Sequence, residues 1–334
     1  MIKKILYFLA ALTLVLNVIT ADAAVINGRF YPILIKSEKN VKSIDNLVGN
    51  FDKKITIIFS DIDGTLIPLD KEAKRGTIPK SVIKAFKKLK KANIPLILAT
   101  GRSSGEARQI AQKMGNGNTY VIGQQGAEIV DSEGNMIYED GIKNSDTIKM
   151  ITEIKNFNKA NNQDTKYFIY SGGNIYAFED IDLPYLIDIP IIINSFEKLP
   201  SDTIPVKVGM YDENIENLKA IQNYIKQKFP NYNVNISADC YCDISSLTAS
   251  KGKAVKKLAE ILNIDLSHAA VIGDAQNDVS MLKEIKKHGG LTLAIGNAMP
   301  SVRENADFIT NSASQGGFKK AMDEILRNNK KIKN

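Results

Sequence analysis

The sequence predicts an α/β fold in which a parallel-sheet core is interrupted by an inserted α+β domain. Three observations carry this prediction. Short β-branched or apolar runs alternate with amphipathic stretches from Lys54 to about Ile122, paired short strands replace that pattern between about Gly123 and Ser246, and the alternation resumes after Lys251.

The elements follow in chain order. Lys3 and Lys4 precede an apolar run from Ile5 to about Ile19, and Ala21-Asp22-Ala23 supplies small residues at the positions a signal peptidase inspects. This predicts a signal peptide over residues 1–23 and an exported chain, periplasmic or secreted. A retained signal would give a membrane-anchored form. The run is shorter than the roughly 20 residues a spanning helix needs, so no stable membrane insertion is expected after cleavage. Residues 24–50 show no clear period and read as a leader of uncertain order.

The first part of the core is expected over 51–122. Ile55 to Phe59 has the pattern of a strand buried on both faces, Ser81 to Ala92 has helical spacing behind Pro79, and Pro95 to Ala99 reads as a second buried strand. A helix from Gly105 to about Met114 and a strand near Tyr120 to Ile122 complete it. The inserted domain is expected over 123–246, with turns at Glu133-Gly134-Asn135 and Ser171-Gly172-Gly173 and helices over Asp146–Asn161 and Glu213–Phe229. The second part of the core, 247–328, contains a helix to about Leu262, a strand over Ala269–Ile272, a helix through Met281 and a strand-like Leu291–Ile295. Residues 329–334 form a basic tail expected to fray.

Composition bounds the function. The chain has 334 residues, 44% of them apolar and 24% charged, close to the globular average. Its formal charge is +7, but the lysines are spread along the chain among Asp and Glu, so no nucleic-acid partner is expected. The two cysteines, Cys240 and Cys242, are too close to bridge well and read as packed residues. The two histidines, His268 and His288, pair with no Ser or Cys nucleophile in the pattern and read as surface residues.

The chemistry lies at predicted strand ends. Asp61-Ile62-Asp63-Gly64-Thr65 follows a buried strand directly, where open α/β sheets bind ligands. A calcium loop is excluded, because its sixth position would need glycine and holds Leu66, and because a strand rather than a helix precedes it. Thr100 ends the next strand with a hydroxyl suited to a phosphoryl oxygen, and Gly101 allows close backbone approach. Ser250-Lys251-Gly252 opens a helix after the insertion, and Gly273-Asp274-Ala275-Gln276-Asn277-Asp278 closes a strand. Four acids, a lysine and a threonine at such ends suit a magnesium site that holds a phosphoryl group.

These residues, in this order, resemble the haloacid dehalogenase superfamily, and within it the Cof-type sugar-phosphate phosphatases. The resemblance covers about Lys54 to Leu326 and includes Ala294-Ile295-Gly296-Asn297-Ala298 and Gly316-Gly317. It implies a Rossmann-like core with a large α/β cap inserted between Thr100 and Lys251, since the interval between Asp61 and Thr100 is too short for the alternative helical cap. It further implies that Asp61 attacks phosphorus to form an aspartyl-phosphate and that Asp63 acts as acid and then base. Thr100, Gly101, Lys251 and Asn277 would bind the phosphoryl group with Asp61. Magnesium would be held by Asp61, the Asp63 carbonyl and Asp274, with Asn277 and Asp278 orienting ligands or waters. The partner would be a small phosphorylated metabolite. The chain departs from the family at Gln124-Gln125-Gly126-Ala127, where Gln125 stands in place of an asparagine, which bears on substrate detail. Two alternatives remain open at this level: a phosphomutase or phosphotransferase using the same intermediate, and an exported phosphate-ester binding protein without turnover.

Overall fold

The computed structural model describes residues 23–26, 29–32, 41–69, 77–184, 189–200 and 204–332. The expected signal peptide therefore lies outside the described residues apart from Ala23. Strands β1 (Ala23–Ile26) and β2 (Arg29–Pro32) pair antiparallel in a unit of their own. Among the described residues no helix is long and apolar enough to cross a membrane.

The second unit, 41–334, contains two sheets. Its chain order begins with β3 (Lys42–Ser43), β4 (Ile57–Ser60), α1 (Lys80–Lys91), β5 (Leu96–Ala99), α2 (Ser104–Met114), β6 (Val121–Gly123), β7 (Glu128–Val130) and β8 (Met136–Glu139). Then come α3 (Asn144–Asn161), β9 (Lys166–Ser171), β10 (Asn174–Ala177), β11 (Ile191–Ile192), β12 (Pro205–Tyr211), α4 (Ile215–Lys228), β13 (Tyr232–Ala238) and β14 (Tyr241–Ser246). The chain returns through α5 (Lys251–Leu262), β15 (Ala269–Gly273), α6 (Val279–Lys287), β16 (Leu291–Ala294), α7 (Pro300–Asn305), β17 (Phe308–Ile309) and α8 (Gly317–Lys331).

The larger sheet has nine strands in the order β3-β17-β16-β15-β4-β5-β6-β7-β8, parallel from β3 to β6. Its central strands are buried on both faces, which is why β4 and β5 read as continuous apolar runs rather than alternating ones. Helix α1 shows the matching pattern: Val82, Ala85, Phe86 and Leu89 are buried one turn apart, and its lysines face outward. The six-stranded sheet, β11-β10-β9-β12-β14-β13, is antiparallel except for the β10/β11 pair. Val208, Met210, Cys242 and Ile244 on one of its faces pack against Met150 and Ile154 of α3 and Leu218, Ile221 and Ile225 of α4.

The α/β fold with an inserted second sheet is thus as expected, and three boundaries move. Residues 41–50 belong to the core, because Ile44 and Leu47 are fully buried in it and β3 extends the sheet beside β17. The larger sheet continues past residue 123. A tight turn at Gln124–Gly126 folds β7 and β8 back antiparallel onto it, so the second sheet begins only at β9. The C-terminal segment is helical to Lys331, because the Asn329 amide group exchanges two hydrogen bonds with the Ile55 backbone, at 2.8 and 2.7 Å, and Asn328 Nδ2 donates to the Phe51 carbonyl at 3.0 Å. Cys242 is buried and free, with burial pushing its thiol up to about 12, as suits a packed residue. Both histidines are on the surface, His288 beside Glu284 and His268 beside the Lys54 carbonyl.

Candidate active site

Three adjacent strands build the site. Parallel register sets Ser60 of β4 beside Ile272 of β15 and Leu98 of β5, so Asp61, Asp274 and Thr100 emerge together at the carboxyl edge of the sheet. The Asp61 amide donates to the Ile272 carbonyl at 3.1 Å and carries the pairing one residue beyond the strands. The chain then turns back on itself, with the Leu66 and Ile67 amides both donating to the Ile62 carbonyl, at 2.9 and 2.8 Å.

Gly64 lets this loop close on β15. Its φ is +82°, and a Cβ there would lie 2.3 Å from Asp274 Oδ2. The Thr65 hydroxyl donates to Asp274 Oδ1 at 2.8 Å, and Asn297 Nδ2 donates to the Gly64 carbonyl at 2.8 Å. Gly64→Ala is therefore expected to destabilise the fold by roughly 2–4 kcal/mol and to displace the Asp274 carboxylate. Urea unfolding and magnesium titration of the variant check this, and both midpoints should move to weaker values.

Lys251 is the first residue of α5, whose N-terminus is capped by the Ser250 side chain accepting from the Lys253 amide. Gly126 makes that position possible, since a Cβ there would lie 2.2 Å from the Ser250 carbonyl oxygen. The Lys251 ammonium is 0% exposed and donates to Asp61 Oδ1 and Asp278 Oδ1, both at 2.6 Å. The other Asp278 oxygen accepts from the Asp274 and Ala275 amides at 2.8 and 2.9 Å. Asp61, Asp274 and Asp278, all buried, each bring an oxygen within 4.8 Å of the others. The donor set is entirely carboxylate oxygen, which fits a hard divalent cation such as magnesium. Three carboxylates against one ammonium leave negative charge for such an ion to balance.

Electrostatics supports this reading. Burial pushes Asp61 well above the ordinary carboxylate range, opposed by Lys251 and reinforced by Asp278. Burial likewise pushes Asp274 up to about 6, opposed by the Thr65 hydrogen bond. For Lys251, burial works against the charge, but Asp61 and Asp278 outweigh it and hold the ammonium above its ordinary value. The sign for stability follows. Between its ordinary 3.8 and about 6, Asp274 keeps in the fold a proton that the unfolded chain releases, so metal-free stability should fall as pH rises through that window. A divalent cation competes with the same protons, so its affinity should rise there. Thermal unfolding at about pH 5 and about pH 7, with and without magnesium, checks both, and the magnesium-induced rise in Tm should be larger at the higher pH.

The remaining expected residues surround this cluster. Thr100 is buried, and its hydroxyl accepts from the Arg102 amide at 3.2 Å. Above Gly101 lie Gln125 and Asn277: a Cβ on Gly101 would be 3.5 Å from Gln125 Cγ and 3.9 Å from Asn277 Nδ2. Gln124 and Gln125 both adopt left-handed backbone, with φ of 47° and 58°, and their amides donate to the Arg102 and Thr100 carbonyls at 2.8 and 2.9 Å. The Asp63 carboxylate stands outside the three-acid cluster. Arg102 grips it through two bonds of 2.6 Å, with Glu106 3.6 Å behind the guanidinium. Sequence reasoning passed over Arg102, Thr65 and Asn297, although each lies within or beside a quoted motif.

A family profile for haloacid dehalogenase-like hydrolases matches residues 58–322. The chain belongs to this family. It is 26% identical over 273 residues to the Bacillus subtilis 5-amino-6-(5-phospho-D-ribitylamino)uracil phosphatase YcsE, covering 81% of this chain and 96% of that protein. The crystal structure of TM0651 from Thermotoga maritima superposes with a TM-score of 0.70 at 21% identity, covering 80% of this chain and 97% of the other. The sugar phosphatase BT4131, of subclass IIB, superposes with a TM-score of 0.61 at 20% identity, covering 81% and 99%. This hydrolase is therefore built on the fold that its strand-end motifs imply.

Proposed function

We propose that the chain is a magnesium-dependent phosphatase that hydrolyses small phosphate monoesters, sugar or polyol phosphates among them, through an aspartyl-phosphate on Asp61. The observation that carries this is the buried Lys251 ammonium bridging Asp61 and Asp278 at 2.6 Å, beside Asp274. Such a lysine fixes the carboxylate for attack and presents positive charge where the equatorial phosphoryl oxygens gather it. YcsE is a 5-amino-6-(5-phospho-D-ribitylamino)uracil phosphatase and BT4131 a sugar phosphatase, which supports a hydroxylated phosphate ester as the substrate class.

In the first step an Asp61 oxygen bonds to phosphorus, the ester P–O bond breaks, and the leaving oxygen takes a proton from Asp63. In the second, water attacks phosphorus, its proton goes to Asp63, and the bond to Asp61 breaks to release phosphate. Proton transfer of this kind contributes roughly 100- to 10,000-fold. Asp63 is partly exposed, with Arg102 setting its orientation. Thr100, Gly101 and Asn277 supply donors around the phosphoryl group. Asp61, the Asp63 carbonyl and Asp274 would hold the magnesium, while Asp278 keeps Lys251 in place. A bound divalent cation would neutralise charge on the phosphoryl oxygens and keep Asp61 from repelling the ester.

The test is a panel of phosphate esters assayed with and without magnesium. Magnesium-dependent phosphate release supports the reading. A folded protein that binds an ester and only moves its phosphoryl group to another hydroxyl would overturn it in favour of a mutase. Export belongs to the same proposal, and fractionation of cells producing the full chain tests it: recovery solely with the cytoplasm would contradict it.

A further inference from the structure

Helix α1 differs from every other α-helix among the described residues in carrying no acid. Its 12 residues include Lys80, Lys84, Lys87, Lys88, Lys90 and Lys91. At 3.6 residues per turn, Lys80, Lys84, Lys87 and Lys91 fall within about 60° of one another, opposite the buried Val82, Ala85, Phe86 and Leu89. All four are exposed, and none makes an ion pair or hydrogen bond with a described residue. Lys88, at the side of this stripe, pairs with Asp323 of α8 at 2.6 Å. On other helices lysines meet acids: Lys219 pairs with Glu216, Lys253 with Asp140 and Lys286 with Asp307.

Folding alone disfavours this pattern. Like charges three and four positions apart, as in Lys80/Lys84, Lys84/Lys87 and Lys87/Lys91, repel one another along the helix. Lys80 also stands at the first residue, against the positive end of the helix macrodipole. A single acid in the stripe would relieve the repulsion, yet none is there. The cations are left to neutralise charge outside the molecule.

We propose that this stripe is an electrostatic docking surface for a bilayer containing anionic lipid. Four ammonium groups in line over roughly 17 Å face outward as a plane of repeating phosphates requires, and each contributes about a fivefold gain in partition. The apolar face of α1 is spent on the core, so the helix adsorbs to headgroups and inserts nothing. The stripe has no arginine, asparagine or aromatic residue to read or stack on bases, and a lysine ammonium is a hydrated point charge suited to a diffuse array. Lys3-Lys4 and the apolar run behind them are expected to bring the same chain to a membrane. A helix joining two parallel strands lies on a face of their sheet, whereas Asp61, Thr100 and Asp274 emerge at its carboxyl edge, so docking leaves the site open.

The test is co-sedimentation of the full chain with vesicles of phosphatidylcholine, alone or with about a third phosphatidylglycerol. The wild type is compared with a stripe variant, Lys84→Gln, Lys87→Gln and Lys91→Gln together. A control of equal charge change is Lys149→Gln, Lys219→Gln and Lys256→Gln, each at a lysine that pairs with an acid of its own helix. The N-terminal apolar run is common to all three proteins and contributes equally. Partition onto anionic vesicles should fall on the order of 100-fold in the stripe variant and less than about threefold in the control, and about 0.5 M salt should abolish the difference. Urea unfolding separates this from misfolding, since relief of like-charge repulsion should leave the stripe variant at least as stable as the wild type. Equal losses in the two variants, or equal partition of the wild type onto anionic and neutral vesicles, would overturn the assignment. Tighter binding to an oligonucleotide than to anionic vesicles, lost in the stripe variant, would overturn it in favour of a nucleic-acid surface.

Discussion

Asp61→Asn is expected to lower turnover by about 100,000-fold while leaving the protein folded. The amide keeps the shape of the carboxylate but cannot attack phosphorus, and it still accepts a hydrogen bond from Lys251, which now donates at 2.6 Å to Asp61 Oδ1. Burial already disfavours the charged form of Asp61, so removing the charge should leave stability unchanged or slightly raised in the absence of metal. Steady-state phosphate release and urea unfolding, measured on the same preparation, check the two halves. Loss of activity accompanied by loss of folding would point to a structural part for this side chain.

The second large effect is expected at Lys251. Lys251→Met removes the cation that bridges Asp61 and Asp278 and leaves both carboxylates in a fully closed environment. Breaking a buried pair in this way costs about 3–5 kcal/mol, and losing a charged donor at the phosphoryl oxygens costs about 1,000-fold in turnover. The stability loss should be smaller in mild acid than at neutral pH, because protonating Asp61, whose pKa already lies high, removes the unpaired charge. Urea midpoints across that range measure this. A loss independent of pH would mean that packing of the lysine stem, rather than its charge, is what matters.

Much of the site was legible because its residues sit at the ends of strands that announce themselves. Asp61, Thr100 and Asp274 each follow a short apolar run, and parallel pairing of β4 with β5 and β15 is enough to bring them together. Lys251 could be placed because it opens a helix after a serine that caps it. What sequence could not supply were bonds made across loops. Arg102 meets Asp63, Thr65 meets Asp274, and Asp278 spends its oxygens on Lys251 and two backbone amides. Apart from the local bonds to the Asp274 and Ala275 amides, each depends on the close approach of segments far apart in the chain, and Gly64 and Gly126 permit that approach by lacking a side chain. The domain boundary at residue 123 was misplaced for a related reason: the hairpin β7–β8 carries the same turn signals whether it extends the larger sheet or starts the smaller one. The early strand β3 was missed because two residues have no period to read.

The central claim is a covalent intermediate on Asp61, and the stereochemistry at phosphorus tests it most directly. Hydrolysis of a phosphate ester made chiral at phosphorus with oxygen isotopes should proceed with overall retention, since two in-line displacements each invert the centre. Overall inversion would mean that water attacks the ester in a single step and would contradict the account.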